Sequence, residues 1–143
     1  MYDEILLPTD GSPGTTEALE HARTVAADQD ARVHVLYVVD RRLYTAASEE
    51  SKAEVRQSLE EEADHALDDA RVRIEDEGVN CQTTHVDGIP HREITDYAAE
   101  NEIDLIVMGT HSKTGPERVV NLGSTTERVT QNADIPVLVV DID

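Results

Sequence analysis

The 143-residue sequence contains no tryptophan, no phenylalanine and a single cysteine, Cys81. One cysteine cannot form an internal disulfide, which favours a reducing, intracellular environment. No run of about 18 apolar residues is present that could span a membrane. Residues 1–4 lack the basic start of a signal peptide. We therefore expect a cytoplasmic protein in which Cys81 is a small apolar strand residue.

Basic residues are also scarce. The sequence has 12 lysines and arginines against 31 acidic residues, and its formal net charge is -19. Such a chain repels nucleic acid and anionic membranes, so we expect neither as a partner. The acids are spread along the whole chain, which favours adaptation to a salt-rich cytoplasm, where charges are screened within about 3 Å at 1 M salt. The alternative is an acidic surface that binds a basic partner.

Apolar runs alternate with helical patterns along the chain. Helical spacing of apolar residues predicts a long helix over roughly 49–77, whereas residues 40–48 are expected to form a loop. Strands that alternate with helices are typical of a parallel sheet covered on both faces. The sequence predicts one α/β domain over residues 1–143. The strand candidates are residues 4–8, 32–39, 79–86, 103–108 and 136–140.

Two polar turns follow predicted strands, at the edge where open parallel sheets bind ligands. The first is Thr9-Asp10-Gly11, after the first strand. The second runs from Gly109 to Gly115, after the fourth strand. Further along, Gly123-Ser124-Thr125 opens a helix predicted over residues 124–133, and a helix start presents free N–H groups to an anion. Ser124 and Glu127 also match a capping box, so Ser124 has a structural role in either case.

One segment of the chain, residues 109–128, lacks the excess of acidic residues. Residues 109–128 contain three basic residues and two acids. In so acidic a chain, a segment without an excess of acids indicates a loop that binds an anion. A short neutral segment can also arise by chance. Lys113 and Arg118 could steer a phosphate there or could remain solvated.

Three segments carry a family resemblance that extends over the whole chain. They are residues 1–12, Asp104–His111 and residues 123–129 together with 135–140. Together they resemble the universal stress protein family. The resemblance implies a Rossmann-like, adenine-nucleotide α-hydrolase-like domain, with a five-stranded parallel sheet of order 3-2-1-4-5 and helices on both faces. With the acidic composition, it leads us to expect a halophilic archaeal source.

One branch of this family binds ATP through Gly-x2-Gly-x9-Gly-Ser/Thr. By resemblance, Gly109 is the first glycine and Gly123-Ser124 is the last pair. Ser112 stands at the second glycine position, and ten residues separate it from Gly123 instead of nine. The motif is thus kept at both ends and altered in its centre. The resemblance implies ATP, with or without Mg²⁺, or another adenine nucleotide.

The resemblance also assigns roles to residues. Asp10 would bind the ribose hydroxyls, or would only cap the turn before the first helix. Pro8 and Val39 would border adenine, or would only pack within their strands. Residues 41–42, both arginines, could reach over the site, whereas His111 fits an ordinary loop histidine. The expected binding residues are Pro8, Thr9, Asp10, Val39, Met108, Gly109, His111, Ser112, Lys113, Gly123, Ser124 and Thr125.

The last predicted strand, residues 136–140, would lie at an edge of the implied sheet. An exposed apolar edge invites aggregation, and pairing with a second copy across a two-fold axis removes that exposure. We therefore expect a homodimer through this strand, as the family resemblance also implies. The opposite edge, residues 80–84, is polar enough to stay open.

Motifs of familiar catalytic sites are missing from the sequence. It has no GxxxxGK[ST] phosphate loop, no HxGH adenylyl-transfer motif, no HExxH zinc motif and no GxSxG elbow. The sequence therefore favours a cytoplasmic stress-response module that binds its nucleotide as a regulatory ligand. A nucleotide-free dimeric interaction module of the same fold is the alternative, and a slow ATP-hydrolysing enzyme is a more remote one.

Overall fold

A computed structural model describes residues 1–12, 14–109 and 124–141. The strands are β1 (Glu4–Thr9), β2 (Arg32–Asp40), β3 (Asn80–Gly88), β4 (Leu105–Gly109) and β5 (Val137–Val140). The helices are α1 (Gly14–Gln29), α2 (Arg41–Thr45), α3 (Lys52–Glu75), α4 (Pro90–Glu100) and α5 (Ser124–Asn132). All strand pairs are parallel, and the sheet order is β3-β2-β1-β4-β5. The predicted fold class and strand order are confirmed.

Both faces of the sheet are covered by helices. Alternate residues of β1 pack on opposite faces of the sheet. Ile5 and Leu7 belong to one core cluster, and Leu6 belongs to the other. Helices α1 and α3 contribute side chains such as Ala22 and Ala63 to the first cluster. Helices α4 and α5 contribute to the second. A strand buried on both faces reads as a continuous apolar run, which is the pattern seen in β1.

Helix α2 corrects the prediction for residues 40–48, which was wrong in treating them as a loop throughout. The side chain of Asp40 accepts a 3.0 Å hydrogen bond from the backbone N–H of Arg42 and so caps the helix. A carboxylate at this position satisfies an N–H group that would otherwise lack a partner. The cap turns the chain directly from β2 into a helix of five residues.

A buried histidine ties the second core cluster to the strands. His34 is only 3% exposed. Its Nδ1 lies 2.8 Å from the hydroxyl oxygen of Tyr97, and its Nε2 lies 3.0 Å from Oε2 of Glu4. A buried polar ring is tolerated when both nitrogens find partners. This network lies toward the amino ends of the strands, away from the edge where α/β sheets bind ligands.

Strands β1 and β4 separate soon after they meet. Near their amino ends, Oδ2 of Asp104 accepts hydrogen bonds from the N–H groups of Asp3 and Glu4, at 2.9 and 3.0 Å. The register between the strands then covers only Ile5↔Leu105 and Leu6↔Ile106, whereas β1 pairs with β2 along all of Glu4–Thr9. Pro8 has no N–H with which to extend the ladder toward β4. A cleft therefore opens between the carboxyl ends of β1 and β4.

Candidate functional site

A cavity of about 480 Å³ occupies this cleft. Its size suits a small organic ligand, for which pockets of roughly 300–1,000 Å³ are typical. Strands β1, β2 and β4 supply its base, and helices α1, α2, α3, α4 and α5 supply its rim. The residues that line it are Pro8, Thr9, Asp10, Ser12, Thr15, Leu36, Tyr37, Val38, Val39, Asp40, Arg42, Leu43, Leu59, Glu62, Pro90, Ile94, Met108, Gly109, Ser124, Thr125 and Thr126.

The base of the cavity is apolar. Leu36 and Met108 are buried strand residues whose side chains line it, and Ile94 of α4 lines it as well. Pro8 adds a ring in place of a hydrogen-bonding N–H group. A flat apolar group fits such a surface better than a charged one, because no polar group of the ligand has to be left unpaired there.

The turn after β1 places a carboxylate at the cavity. Oδ1 of Asp10 accepts hydrogen bonds from the N–H of Ser12 at 2.9 Å and from Oγ1 of Thr15 at 3.4 Å. Oγ1 of Thr9 accepts one from the N–H of Gly11 at 3.1 Å. Gly11 has φ of +78°, a left-handed conformation that side-chain-bearing residues rarely adopt. Asp10 thus has the turn-capping role given as its alternative, and it lines the cavity at the same time.

The start of α5 forms the opposite side. Ser124 and Thr125 line the cavity from the first turn of this helix, where backbone N–H groups have no partner within the helix. Thr126, which is 3% exposed, donates a 3.0 Å hydrogen bond from Oγ1 to the carbonyl oxygen of Gly109. The bond fixes the helix start against the end of β4. Thr126 was missed by sequence reasoning, although it directly follows the predicted Gly-Ser-Thr segment.

Acidic groups lie along one side of the cavity. Burial raises the pKa of the Tyr37 hydroxyl, and the nearby carboxylates of Glu62 and Asp10 raise it further. Each of these three residues lines the cavity. A ligand group on this side therefore meets hydrogen-bond acceptors and negative potential. Sequence reasoning missed Tyr37 and Glu62, because only the fold brings α3 over the end of β2.

Among the described residues that line the cavity, Arg42 is the basic one. Burial lowers the pKa of His91, and the guanidinium groups of Arg128, Arg92 and Arg42 lower it further. Arg42 also holds Asp40 through hydrogen bonds from Nε at 2.9 Å and from Nη2 at 2.7 Å. These hydrogen bonds lower the pKa of Asp40. Arg42 and Asp40 thus present a paired cation and carboxylate to the cavity, whereas Glu62 of α3 and Asp10 add further carboxylates.

Most of the expected binding residues come together in this cavity. Eight of the twelve line it, and they come from three strands, the turn after β1 and one helix. The remaining four, His111, Ser112, Lys113 and Gly123, lie outside the described residues. The eight that line the cavity are Pro8, Thr9, Asp10, Val39, Met108, Gly109, Ser124 and Thr125.

Comparison with known proteins identifies the family. The model of the universal stress protein family matches residues 1–141. The chain belongs to the universal stress protein family. Universal stress protein MJ0531 of Methanocaldococcus jannaschii is 43% identical over 141 residues, which cover 98% of this chain and 82% of that protein. The family resemblance found in the sequence is confirmed.

Solved structures of family members share the fold. The structure of MJ0577, a universal stress protein of the same archaeon, has a TM-score of 0.87 and 36% identity, and covers 100% of this chain and 98% of that chain. Universal stress protein UspA from Lactobacillus plantarum has a TM-score of 0.81 and 35% identity, over 97% of each chain. The fold that carries the cavity is therefore that of the family.

Three more distant structures of the family contain adenine nucleotides. They hold cAMP, dAMP (in a protein from Archaeoglobus fulgidus) and AMP (in a protein from Arabidopsis thaliana). Their identities to this chain are 24%, 22% and 18%, and their TM-scores are 0.77, 0.72 and 0.72. They cover 97–99% of this chain and 92–99% of their own. At these identities the likeness establishes a shared fold.

The described part of the chain holds no group of three or more His, Cys, Asp or Glu side chains that could bind a metal ion. None of its helices is long and apolar enough to cross a membrane.

Proposed function

We propose that this protein binds an adenine nucleotide, with ATP as its ligand, as a regulatory signal in the cavity between β1 and β4. One observation carries the proposal. A single cleft at the switch point of the sheet combines an apolar base, the carboxylate of Asp10 and the N–H groups of the first turn of α5, which have no partner within that helix. The adenine nucleotides held by distant members of the family support the same chemistry.

Each part of a nucleotide has a matching part of the site. The adenine ring would lie on the apolar base, bordered by Pro8 and Val39. The ribose hydroxyls would donate to Asp10 on the acidic side. The phosphates would meet Ser124, Thr125 and the positive end of α5. Mg²⁺, where present, would arrive on the phosphates, because this ion is commonly held by phosphate oxygens with few protein ligands.

The consequence of binding is regulatory. A ligand that binds only the folded state stabilises it by RT ln(1 + [L]/Kd), about 2.7 kcal/mol at 100 times Kd. The occupied protein is therefore the more stable one. Hydrolysis of the bound nucleotide is at most slow in this proposal. The competing hypothesis is a nucleotide-free interaction module of the same fold.

Calorimetry in 2 M KCl with ATP and Mg²⁺ tests the proposal. We expect saturable heat for the natural sequence and an affinity about 10-fold lower for Asp10→Asn, which keeps one acceptor oxygen but loses the charge. The matched control is Asp28→Asn, an exposed position on α1, where affinity should not change. Absence of heat with ATP and AMP, together with no co-purifying nucleotide, would favour the nucleotide-free module.

We also propose that the protein is a homodimer joined through residues 136–140. Strand β5 lies at the edge of the sheet, and Leu138 at its centre is 37% exposed. Pairing this edge with a second copy would bury Leu138 and would use the strand's unpaired backbone groups.

For the setting of the protein, we propose the cytoplasm of a halophilic archaeon. The excess of 31 acidic over 12 basic residues supports a salt-rich interior, and the single cysteine supports a reducing one. The archaeal source of two similar family members agrees with this setting.

A further inference from the structure

One hydroxyl group in the wall of the cavity has no hydrogen-bond partner among the described residues. It belongs to Tyr37 of β2, which is only 6% exposed and packs in the core cluster shared with α1 and α3. In the described part of the chain, every fully buried side-chain oxygen or nitrogen has a partner. The Tyr37 oxygen is therefore not enclosed by the core, and it opens into the cavity that the residue lines.

The surroundings of Tyr37 bring β2, α3 and the turn after β1 together. Tyr37 is paired in register with Thr9, the last residue of β1. A Cβ atom at Gly11 would lie 3.8 Å from Cε2 of the Tyr37 ring and 3.6 Å from Cβ of Ala66 on α3. The turn that carries Asp10 thus packs against both the ring and the helix.

Glu62 adds a carboxylate to the same part of the cavity. It lies on α3 one helical turn before Ala66, so the two residues share the helix face that meets the turn. Leu59, also on this face, packs against the core, and both Leu59 and Glu62 line the cavity. Glu62 makes no hydrogen bond or ion pair within the described residues. Its carboxylate can accept from a ligand without giving up a bond inside the protein.

A donor and an acceptor in one part of a cavity suit a ligand hydroxyl group. Burial raises the pKa of Tyr37, and Glu62 and Asp10 raise it further, so the phenol keeps its proton and can donate. A carboxylate only accepts, whereas a ligand hydroxyl can accept from Tyr37 and donate to Glu62 at once. A phosphate would be repelled by the carboxylates, and an ammonium group has no lone pair to accept from Tyr37.

We propose that Tyr37 and Glu62, here called the hydroxyl subsite, bind one hydroxyl of the nucleotide's ribose while Asp10 accepts from the other. The inference rests on the proposed function and narrows its ligand class to ribonucleotides. The two ribose hydroxyls lie on neighbouring carbons and on the same side of the ring, so groups that flank one turn can meet both. A deoxyribose leaves one of these partners without its hydroxyl, and a site that bonds a hydroxyl rejects the analogue that lacks it.

Calorimetry in 2 M KCl with ATP, 2′-deoxy-ATP and 3′-deoxy-ATP tests the hydroxyl subsite. We expect the natural protein to bind each deoxy compound at least 10-fold more weakly than ATP. Tyr37→Phe should weaken ATP binding about 10-fold. It should leave the affinity for one deoxy compound within twofold of the natural value, because that compound has no hydroxyl at the subsite. Glu62→Gln should show the same pattern for the same compound.

Two matched controls remove the same groups elsewhere. Tyr2→Phe removes a hydroxyl from a tyrosine that packs against the same core cluster, and Glu61→Gln removes a carboxylate from the neighbouring position of α3. Neither is among the described residues that line the cavity, so all three affinities should stay unchanged.

Urea unfolding without ligand separates a ligand contact from a structural role. Tyr37→Phe should be as stable as the natural protein, because the hydroxyl has no bond to lose there. A lower free energy of unfolding for this variant would show that the protein itself uses the hydroxyl, and would contradict the subsite.

The binding results separate this inference from the proposed function. Equal affinities of the natural protein for ATP and both deoxy compounds would overturn the hydroxyl subsite and leave adenine-nucleotide binding intact. The same holds if Tyr37→Phe and Glu62→Gln weaken all three compounds equally or not at all. Absence of heat with all three compounds would overturn nucleotide binding and the subsite together.

Discussion

Thr126 donates a 3.0 Å hydrogen bond from Oγ1 to the backbone carbonyl of Gly109. The bond joins the first turn of α5 to the end of β4. Both residues line the cavity, so one hydroxyl group sets the distance between two of its walls. Because Thr126 is buried, solvent does not offer the Gly109 carbonyl an easy replacement partner.

Replacing Thr126 tests this arrangement. Thr126→Val keeps the shape of the side chain and removes the donor, so we expect a loss of about 1–2 kcal/mol in the free energy of unfolding. ATP affinity should fall about fivefold, since the start of α5 loses its anchor. Thr126→Ser retains the hydroxyl and should restore affinity. Equal calorimetric affinities for the Val and Ser variants would show that the bond does not position the site.

The Tyr97–His34 pair predicts an effect on stability without an effect on binding. Tyr97→Phe removes the hydroxyl that lies 2.8 Å from Nδ1 of His34 and leaves a buried nitrogen unpaired. We expect a loss of about 1–3 kcal/mol in urea unfolding and unchanged ATP affinity. Tyr2→Phe is the control, because the Tyr2 hydroxyl has no hydrogen bond within the described residues. Similar stabilities for the two variants would contradict the importance of the network.

Cys81 should be unreactive. Burial raises the pKa of its thiol to about 11. At pH 8 the thiolate fraction is then roughly 200-fold below that of an ordinary thiol, whose pKa is near 8.5. We expect labelling by iodoacetamide at pH 8 to be at least 100-fold slower than for glutathione, and to accelerate about tenfold per pH unit up to pH 10. Labelling as fast as that of glutathione would indicate an accessible thiolate.

Stability should depend strongly on salt. With a net charge of -19, the folded state repels itself, and the screening distance falls from about 10 Å at 0.1 M salt to about 3 Å at 1 M. We expect the melting temperature to rise by about 10 °C between 0.1 and 1 M KCl. A variant with Glu54→Gln and Asp68→Asn, two exposed α3 positions, should show a smaller rise. Equal melting temperatures at both salt concentrations would favour the basic-partner interpretation of the charge.

Leu138 tests the dimer. In light scattering at 2 M KCl, the natural protein should have the mass of two chains, and Leu138→Glu should shift it toward one, because the charge would be buried in the interface. Val72→Glu, at a 60% exposed position on α3, should leave the mass unchanged. A single-chain mass for the natural protein would refute the dimer outright.

The strands and their order could be predicted because their signals are local or shared by the family. β1 is a continuous apolar run, and the glycine-rich segment beginning at Gly109 follows the fourth such run. The turn at Asp10 and the helix start at Ser124 were found in the same way. These features need only neighbouring residues to be recognised.

What the sequence could not predict depends on distant residues or on a side-chain cap. Tyr97 and His34 are 63 positions apart, and no pattern links them. Helix α2 depends on one side-chain oxygen of Asp40. Glu62 faces the cavity only because α3 crosses the end of β2. The polarity of the cavity is therefore a property of the fold.

The narrow join between β1 and β4 has a mechanical consequence. Within the sheet, β1 and β4 are joined by the hydrogen bonds of Asp104 and by two register positions, and the cavity lies along this narrow join. A molecule that contacts both Asp10 and Ser124 would link the end of β1 to the start of α5 across this join. A bound molecule would then restrict the motion of β5, the edge strand that carries Leu138. Binding in the cavity would thereby affect pairing with a second copy without any large movement.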